Sequence, residues 1–175
     1  VEQGVYKLVI PNKEVRAVYK LQIQDWFDKK LSDNTEQLTA FWHSIEEGNT
    51  EAVEQYLNRI LSNSISVFDT KAPEKEKESS YHTLLVGMLT GNTDWVVRSN
   101  VEAGEGFADI IVEPDDPDAG IILELKYSKE ALGLDKACER AIKQIRDRRY
   151  SEYLKNDGRH DMTFYGIAFY KKRCK

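Results

Sequence analysis

Three charged side chains stand inside two apolar runs, and no other feature of this chain constrains its fold as tightly. Asp109 lies in Phe107-Ala108-Asp109-Ile110-Ile111-Val112; Glu124 and Lys126 lie in Ile121-Ile122-Leu123-Glu124-Leu125-Lys126. Both runs have the length and composition of strands buried in a sheet. Burying a carboxylate is costly unless something compensates its charge. A divalent cation shared by Asp109 and Glu124 would do so, which makes the pattern a metal-site candidate on chemistry alone.

Between the runs, Glu113-Pro114-Asp115-Asp116-Pro117-Asp118-Ala119-Gly120 is dense in turn formers. A hairpin centred between Asp116 and Pro117 sets Asp109 opposite Glu124. Directly opposed Cβ atoms stand roughly 4.5–5.5 Å apart, within reach of one cation. Side chains alternate along a strand, so Lys126 shares a face with Glu124. A register slip of one residue would separate the carboxylates.

The 175 residues suffice for one full domain with a small appendage, and 41% are hydrophobic, enough for a core. No apolar run approaches the roughly 20 residues of a membrane span, and no secretory signal is visible. Cys138 and Cys174 lack metal-type spacing, which fits a reduced, cytoplasmic protein. The chain opens at Val1 rather than Met, as expected of a fragment of a longer protein. A net charge of −5 argues against general affinity for nucleic acid, but the charge is uneven. Residues 126–175 hold 14 Lys/Arg against 7 Asp/Glu, a surplus of +7 that leaves −12 elsewhere. This basic third could meet a phosphate backbone, or it could be a solvated helix face.

Residues 1–67 read as a helical N-terminal region. Val5 to Ile10 is an extended piece stopped by Pro11-Asn12, and a helix follows from Lys13 to Leu31, packing through Val15, Val18, Tyr19, Trp26 and Phe27. Leu38, Phe41, Trp42 and Ile45 recur on one helix face. Thr50 suits the N-cap of the next helix, whose inner stripe is Val53, Tyr56, Leu57, Ile60 and Leu61. Residues 68–77 read as a polar linker. From Glu78 the pattern predicts a helix to Thr90, strands near 95–101, 107–113 and 120–127, an amphipathic helix through Leu134, Ala137, Cys138, Ala141, Ile142 and Ile145, and a last strand from Met162 to Tyr170.

That order, with Asp109 and Glu124-x-Lys126 on its second and third strands, resembles the PD-(D/E)XK nuclease superfamily. Glu78-Ser-Ser-Tyr81-His82, Ser99-Asn100-Val-Glu102-Ala-Gly104, Gly106-Phe-Ala-Asp109, Ala141-Ile-Lys-Gln144-Ile145 and Gly166-Ile-Ala-Phe169 look like one branch of it. That branch is the nuclease-type domain found C-terminal to AAA-ATPase-like domains in bacterial proteins. The resemblance implies a restriction-endonuclease-like α/β fold: an αβββαβ core with a mixed central sheet flanked by helices, over residues 78–175, preceded by a small helical region. Leu8 to Val15 looks like the junction to an ATPase part of the same longer chain, although no GxxxxGK[ST] loop occurs here. Two departures stand out. Ala108 replaces the Pro of the superfamily's name, and Arg148 rather than Tyr follows four residues after Gln144, with Tyr150 two further on. A role for a helix tyrosine is therefore unsupported at this level.

The resemblance also implies roles. Asp109 and Glu124 would ligate Mg2+ or Mn2+, which favour hard oxygen donors, and Glu78 would approach the ion directly or through water. Lys126 would orient the attacking water or neutralise charge on the phosphate. Gln144 would hold a phosphate or a metal-bound water. Lys136, Arg140, Lys143 and Arg148, with Arg146 and Arg149 nearby, would contact phosphates. Each has a plainer reading: edge carboxylates, a lysine salt-bridged to Glu124, a helix N-terminal acid at Glu78, a boundary amide, solvated cations. His82, one turn after Glu78, is more simply a packed histidine, and the plainer reading of Gly104 and Gly106 is that they serve only their turn. The expected activity is metal-dependent phosphodiester hydrolysis, of DNA in preference to RNA. The rivals are a catalytically silent module that binds nucleic acid or a partner, and an appendage whose acidic surface meets protein.

Overall fold

Helix α1 (Thr35–Glu46) buries Leu38, Phe41 and Ile45, the stripe its spacing predicts, and the indole of Trp42 donates to the Met88 carbonyl at 3.0 Å. In helix α2 (Thr50–Asn63) Val53, Tyr56, Leu57 and Leu61 are buried. Its cap is Asn49 rather than Thr50, because Asn49 Oδ1 accepts the Ala52 N–H at 3.1 Å. The computed structural model describes residues 35–63 and 74–175, so the extended piece at Val5–Ile10, the helix from Lys13 to Leu31 and residues 68–73 lie outside the described residues. The described residues from Gln37 to Lys175 form one unit.

Helix α3 spans Glu74–Leu89. It begins inside the stretch that reads as linker, because Glu74-Lys75-Glu76-Lys77 are strong helix formers as well as polar. Glu78 therefore stands in the second turn, and the reading of it as a helix N-terminal acid does not hold.

The sheet has five strands in sequential order: β1 (Val96–Ala103), β2 (Gly106–Glu113), β3 (Ala119–Tyr127), β4 (Asp161–Tyr170) and the short β5 (Arg173–Cys174). All neighbours are antiparallel except β3 and β4. A parallel pair needs a crossover, supplied by a 3-10 turn (Ala131–Gly133), helix α4 (Leu134–Asp147) and helix α5 (Ser151–Asn156). The αβββαβ order and mixed sheet are those expected; α5 and β5 are additions that the sequence pattern does not announce.

Alternation along β4 assigns the two faces. A Cβ at Gly166 would stand 2.6 Å from the Cys138 carbonyl and 3.1 Å from Ala141, so α4 lies directly on that face. Its neighbours face the other way: the Tyr165 hydroxyl donates to the Ile45 carbonyl at 2.8 Å, and the Phe169 ring stacks on Tyr81 at 4.3 Å. The sheet is thus covered by α4 on one side and by α1 and α3 on the other.

The β2–β3 register, Ile110 with Leu123, Ile111 with Ile122 and Val112 with Ile121, is that of a hairpin centred between Asp116 and Pro117. Arg159 helps to fix its loop, since Nη1 donates to the carbonyls of Pro114, Asp116 and Ala119 at 3.1, 2.8 and 2.5 Å. We expect Arg159→Ala to lower folding stability by about 1–3 kcal/mol, since the part-buried carbonyls of Pro114 and Ala119 lose their donor. Urea unfolding measures this; an unchanged midpoint would show that the clamp is dispensable.

Candidate active site

The site begins with a gap in the sheet. The β2–β3 ladder ends at Ile110–Leu123, while the β1–β2 ladder pairs Ser99 with Ile110 and Val101 with Ala108 but skips Asn100 and Asp109. Asn100 takes a left-handed backbone, φ 53°. Backbone groups released by such a gap need other partners. Side chains provide them. Asp109 Oδ2 accepts the Leu125 N–H at 2.8 Å, and Glu78 Oε2 accepts the Tyr127 N–H at 3.2 Å. His82 Nε2 stands 3.0 Å from the Asp109 carbonyl and 3.2 Å from Ser99 Oγ. A carbonyl only accepts, so Nε2 carries the proton in that contact. Glu78 and His82, one helical turn apart, thereby span the parting strands from α3.

On the α4 side stands Glu124, 1% exposed. Its Oε1 accepts from Lys126 Nζ at 2.7 Å and from Gln144 Nε2 at 2.5 Å, and the same Gln144 nitrogen donates to the Tyr150 hydroxyl at 3.0 Å. Its Oε2 is buried without a partner. Burial, reinforced by the negative Asp109 and opposed by Lys126, pushes the Glu124 carboxyl up to about 7.

Tyr150 is the residue that sequence reasoning missed. It is 2% exposed, and burial raises its hydroxyl pKa. A Schellman turn brings it back onto the sheet: Tyr150 N–H donates to the Ile145 carbonyl and Arg149 N–H to that of Arg146, both at 3.1 Å, with Arg149 at φ 54°. Glycine usually marks this position, so its absence hides the turn from a sequence reading. Gly104 completes the seat. A Cβ there would lie 2.1 Å from the Arg148 carbonyl, and the neighbouring Glu105 N–H donates to that carbonyl at 2.8 Å. A Cβ at Gly106 would meet the Tyr150 hydroxyl at 3.3 Å.

Asp109, Glu124, Lys126 and Gln144 are thus brought together. Glu78 reaches the same strands but is committed to the Tyr127 backbone. Among the described residues no three His, Cys, Asp or Glu groups converge to hold a metal, so the expected set Asp109–Glu124–Glu78 is not assembled. Asp109 and Glu124 still fit a hard ion that keeps several waters: two carboxylates, one with a buried oxygen lacking any partner. Of the expected phosphate contacts, Lys136 and Arg140 are exposed and fall on one ridge of α4 with Gln144. Lys143 is instead paired with Asp147, and Arg148 donates to the Glu105 carbonyl at 3.3 Å. A cavity of about 670 Å³ opens at the opposite end of β3, between Trp42, Trp95, Asp116 and Asp161, and contains none of the converging groups.

A family model for the PD-(D/E)XK nuclease superfamily matches residues 76–175. The chain belongs to the PD-(D/E)XK nuclease superfamily. No curated protein and no solved structure matches it. Within this nuclease fold Ala108 occupies the place of the eponymous proline and is fully buried.

Ionised Glu124 weighs on the metal-free nuclease domain. Its folded-state pKa, about 7, lies above its ordinary 4.5. The folded protein holds the extra proton between those values, so the Glu124 contribution falls as pH rises through that window. The loss is complete above about 7 and is on the order of 3 kcal/mol. We expect Glu124→Gln to gain stability on wild type between pH 5 and pH 8, measured by urea unfolding with chelator. A constant difference between the two proteins across that range would contradict the assignment.

Proposed function

We propose that this domain hydrolyses phosphodiester bonds in DNA with Mg2+ or Mn2+. The observation that carries this reading is the unpartnered, buried Glu124 oxygen beside Asp109, with Lys126 on the same carboxylate. The bound ion would polarise the scissile phosphate and acidify a water. Asp109 and Glu124 would hold it, while Leu125 N–H fixes Asp109 and Gln144 fixes Glu124. Lys126, 22% exposed at its side chain, would set a compact positive charge against the attacked phosphate or orient the water. Gln144, its NH2 held by Glu124 and Tyr150, would offer its carbonyl oxygen to a metal-bound water. Lys136 and Arg140 would contact the phosphate backbone, which positions a strand without reading sequence.

The same reading sets the domain in a longer chain with an ATPase part, supported by the resemblance of Leu8–Val15 to such a junction. It also sets the protein in the cytoplasm, supported by the free thiols of Cys138 and Cys174. No helix among the described residues is long and apolar enough to cross a membrane. A catalytically silent binding module is the second reading, favoured by the commitment of Glu78 to backbone rather than to a third ligand position.

The test is single-turnover cleavage of DNA at saturating Mn2+. Lys126→Ala should leave the fold and metal binding in place and slow cleavage by roughly 100- to 1000-fold, the cost of one lost electrostatic partner in a preorganised site. Lys126→Arg should restore little, because a planar fork does not replace an ammonium. Cleavage by Lys126→Ala at the wild-type rate would remove the role of Lys126. A wild type that binds DNA and cleaves none with either ion would favour the silent module.

A further inference from the structure

Three large hydrophobic side chains are left exposed among the described residues: Val96 at 51%, Phe107 at 63% and Leu132 at 91%. Val96 opens β1 and pairs with Glu113, at the end of the sheet away from the gap. Phe107 is on β2, two residues before Asp109, and Leu132 is in the 3-10 turn that follows β3 and Lys126. Water-exposed apolar area is unfavourable, and Phe107 stands on the part of β2 that lies beyond its last pair with β3.

The exposure of Phe107 is built into its strand. Gly106 lies against Tyr150, and Ala108 is fully buried in the cluster of Ala103, Ile111 and Tyr150. Alternation then turns Phe107 away from that cluster. Its partner across β1, Glu102, is itself exposed and does not cover it. The hairpin tip is held on the end of α4 through Gly104 and the Glu105–Arg148 hydrogen bond. The ring is therefore presented to solvent from a fixed support, about 7 Å along the strand from Asp109.

We propose that Phe107 stacks on an unpaired base of a strand bound at the gap, which makes single-stranded or frayed DNA the substrate class. The proposal rests on the nuclease reading above. An aromatic ring accepts the face of any base, and stacking of this kind binds single strands without sequence preference. In a paired duplex those faces are occupied by neighbouring bases, so the ring favours an unpaired nucleotide.

The experiment compares wild type, Phe107→Ala and Phe107→Trp on a DNA oligonucleotide containing 2-aminopurine and on its blunt duplex. Binding, fluorescence quenching and single-turnover cleavage are measured with Mn2+, and thermal unfolding checks that the variants fold. Phe107→Ala should weaken single-strand binding roughly 5- to 150-fold, the range for loss of one stacked base. It should abolish quenching and change the rate at saturation little, while Phe107→Trp retains both binding and quenching. If wild type cleaves and Phe107→Ala binds and quenches equally, stacking is wrong while the nuclease reading stands. Equal losses on single strand and duplex would overturn the preference for an unpaired base. If wild type neither binds nor cleaves either DNA, the nuclease reading falls and this inference with it.

Discussion

The hydrogen bond from Leu125 N–H to the Asp109 carboxylate holds the rest of the site in place. Where β2 and β3 part, backbone donors and acceptors lose their ladder partners, and an interior cannot leave them unpaired. Asp109, Glu78 and His82 take over those bonds. The parting opens the sheet enough to expose polar chemistry, and α3 is fixed across it by the same contacts. Two residues singled out for their charge therefore also complete the backbone.

Glu124 shows the opposite economy. It is buried, shares one oxygen between Lys126 and Gln144, and leaves the other without a partner. Such a group is costly in the folded protein, and packing alone gives no reason to place it there. Its supports run outward in sequence: Gln144 holds Glu124, Tyr150 engages Gln144, and the Schellman turn with Gly104 seats Tyr150. A site that sacrifices stability for a reactive arrangement is a familiar trade-off, and a bound cation would relieve the cost.

Much of this was legible in the sequence, for identifiable reasons. Turn formers around Asp116-Pro117 set the β2–β3 register, and strand alternation placed Glu124 and Lys126 together. The apolar stripe of α4 put Gln144 at its flank, within reach of Glu124. What stayed hidden does not follow from periodicity. The skipped pair Asn100–Asp109 leaves an ordinary strand pattern, so the backbone bonds of Asp109 and Glu78 could not be anticipated. Tyr150 was obscured because Arg149 occupies the left-handed position where glycine would announce a turn. Polarity alone sets the start of α3 too late, because Glu and Lys read as loop by polarity and as helix by propensity.

Asp109 and Glu124, brought together by the parted strands, would hold one divalent cation as a pair. Calorimetric titration with Mn2+ tests it most directly, on wild type, Asp109→Asn and Glu124→Gln. Asp109→Asn keeps an oxygen for Leu125 N–H, so fold and charge are separated. The account predicts a binding isotherm for wild type and its loss, by tenfold or more in affinity (about 1.4 kcal/mol), in each variant. Equal Mn2+ binding by all three folded proteins would contradict it.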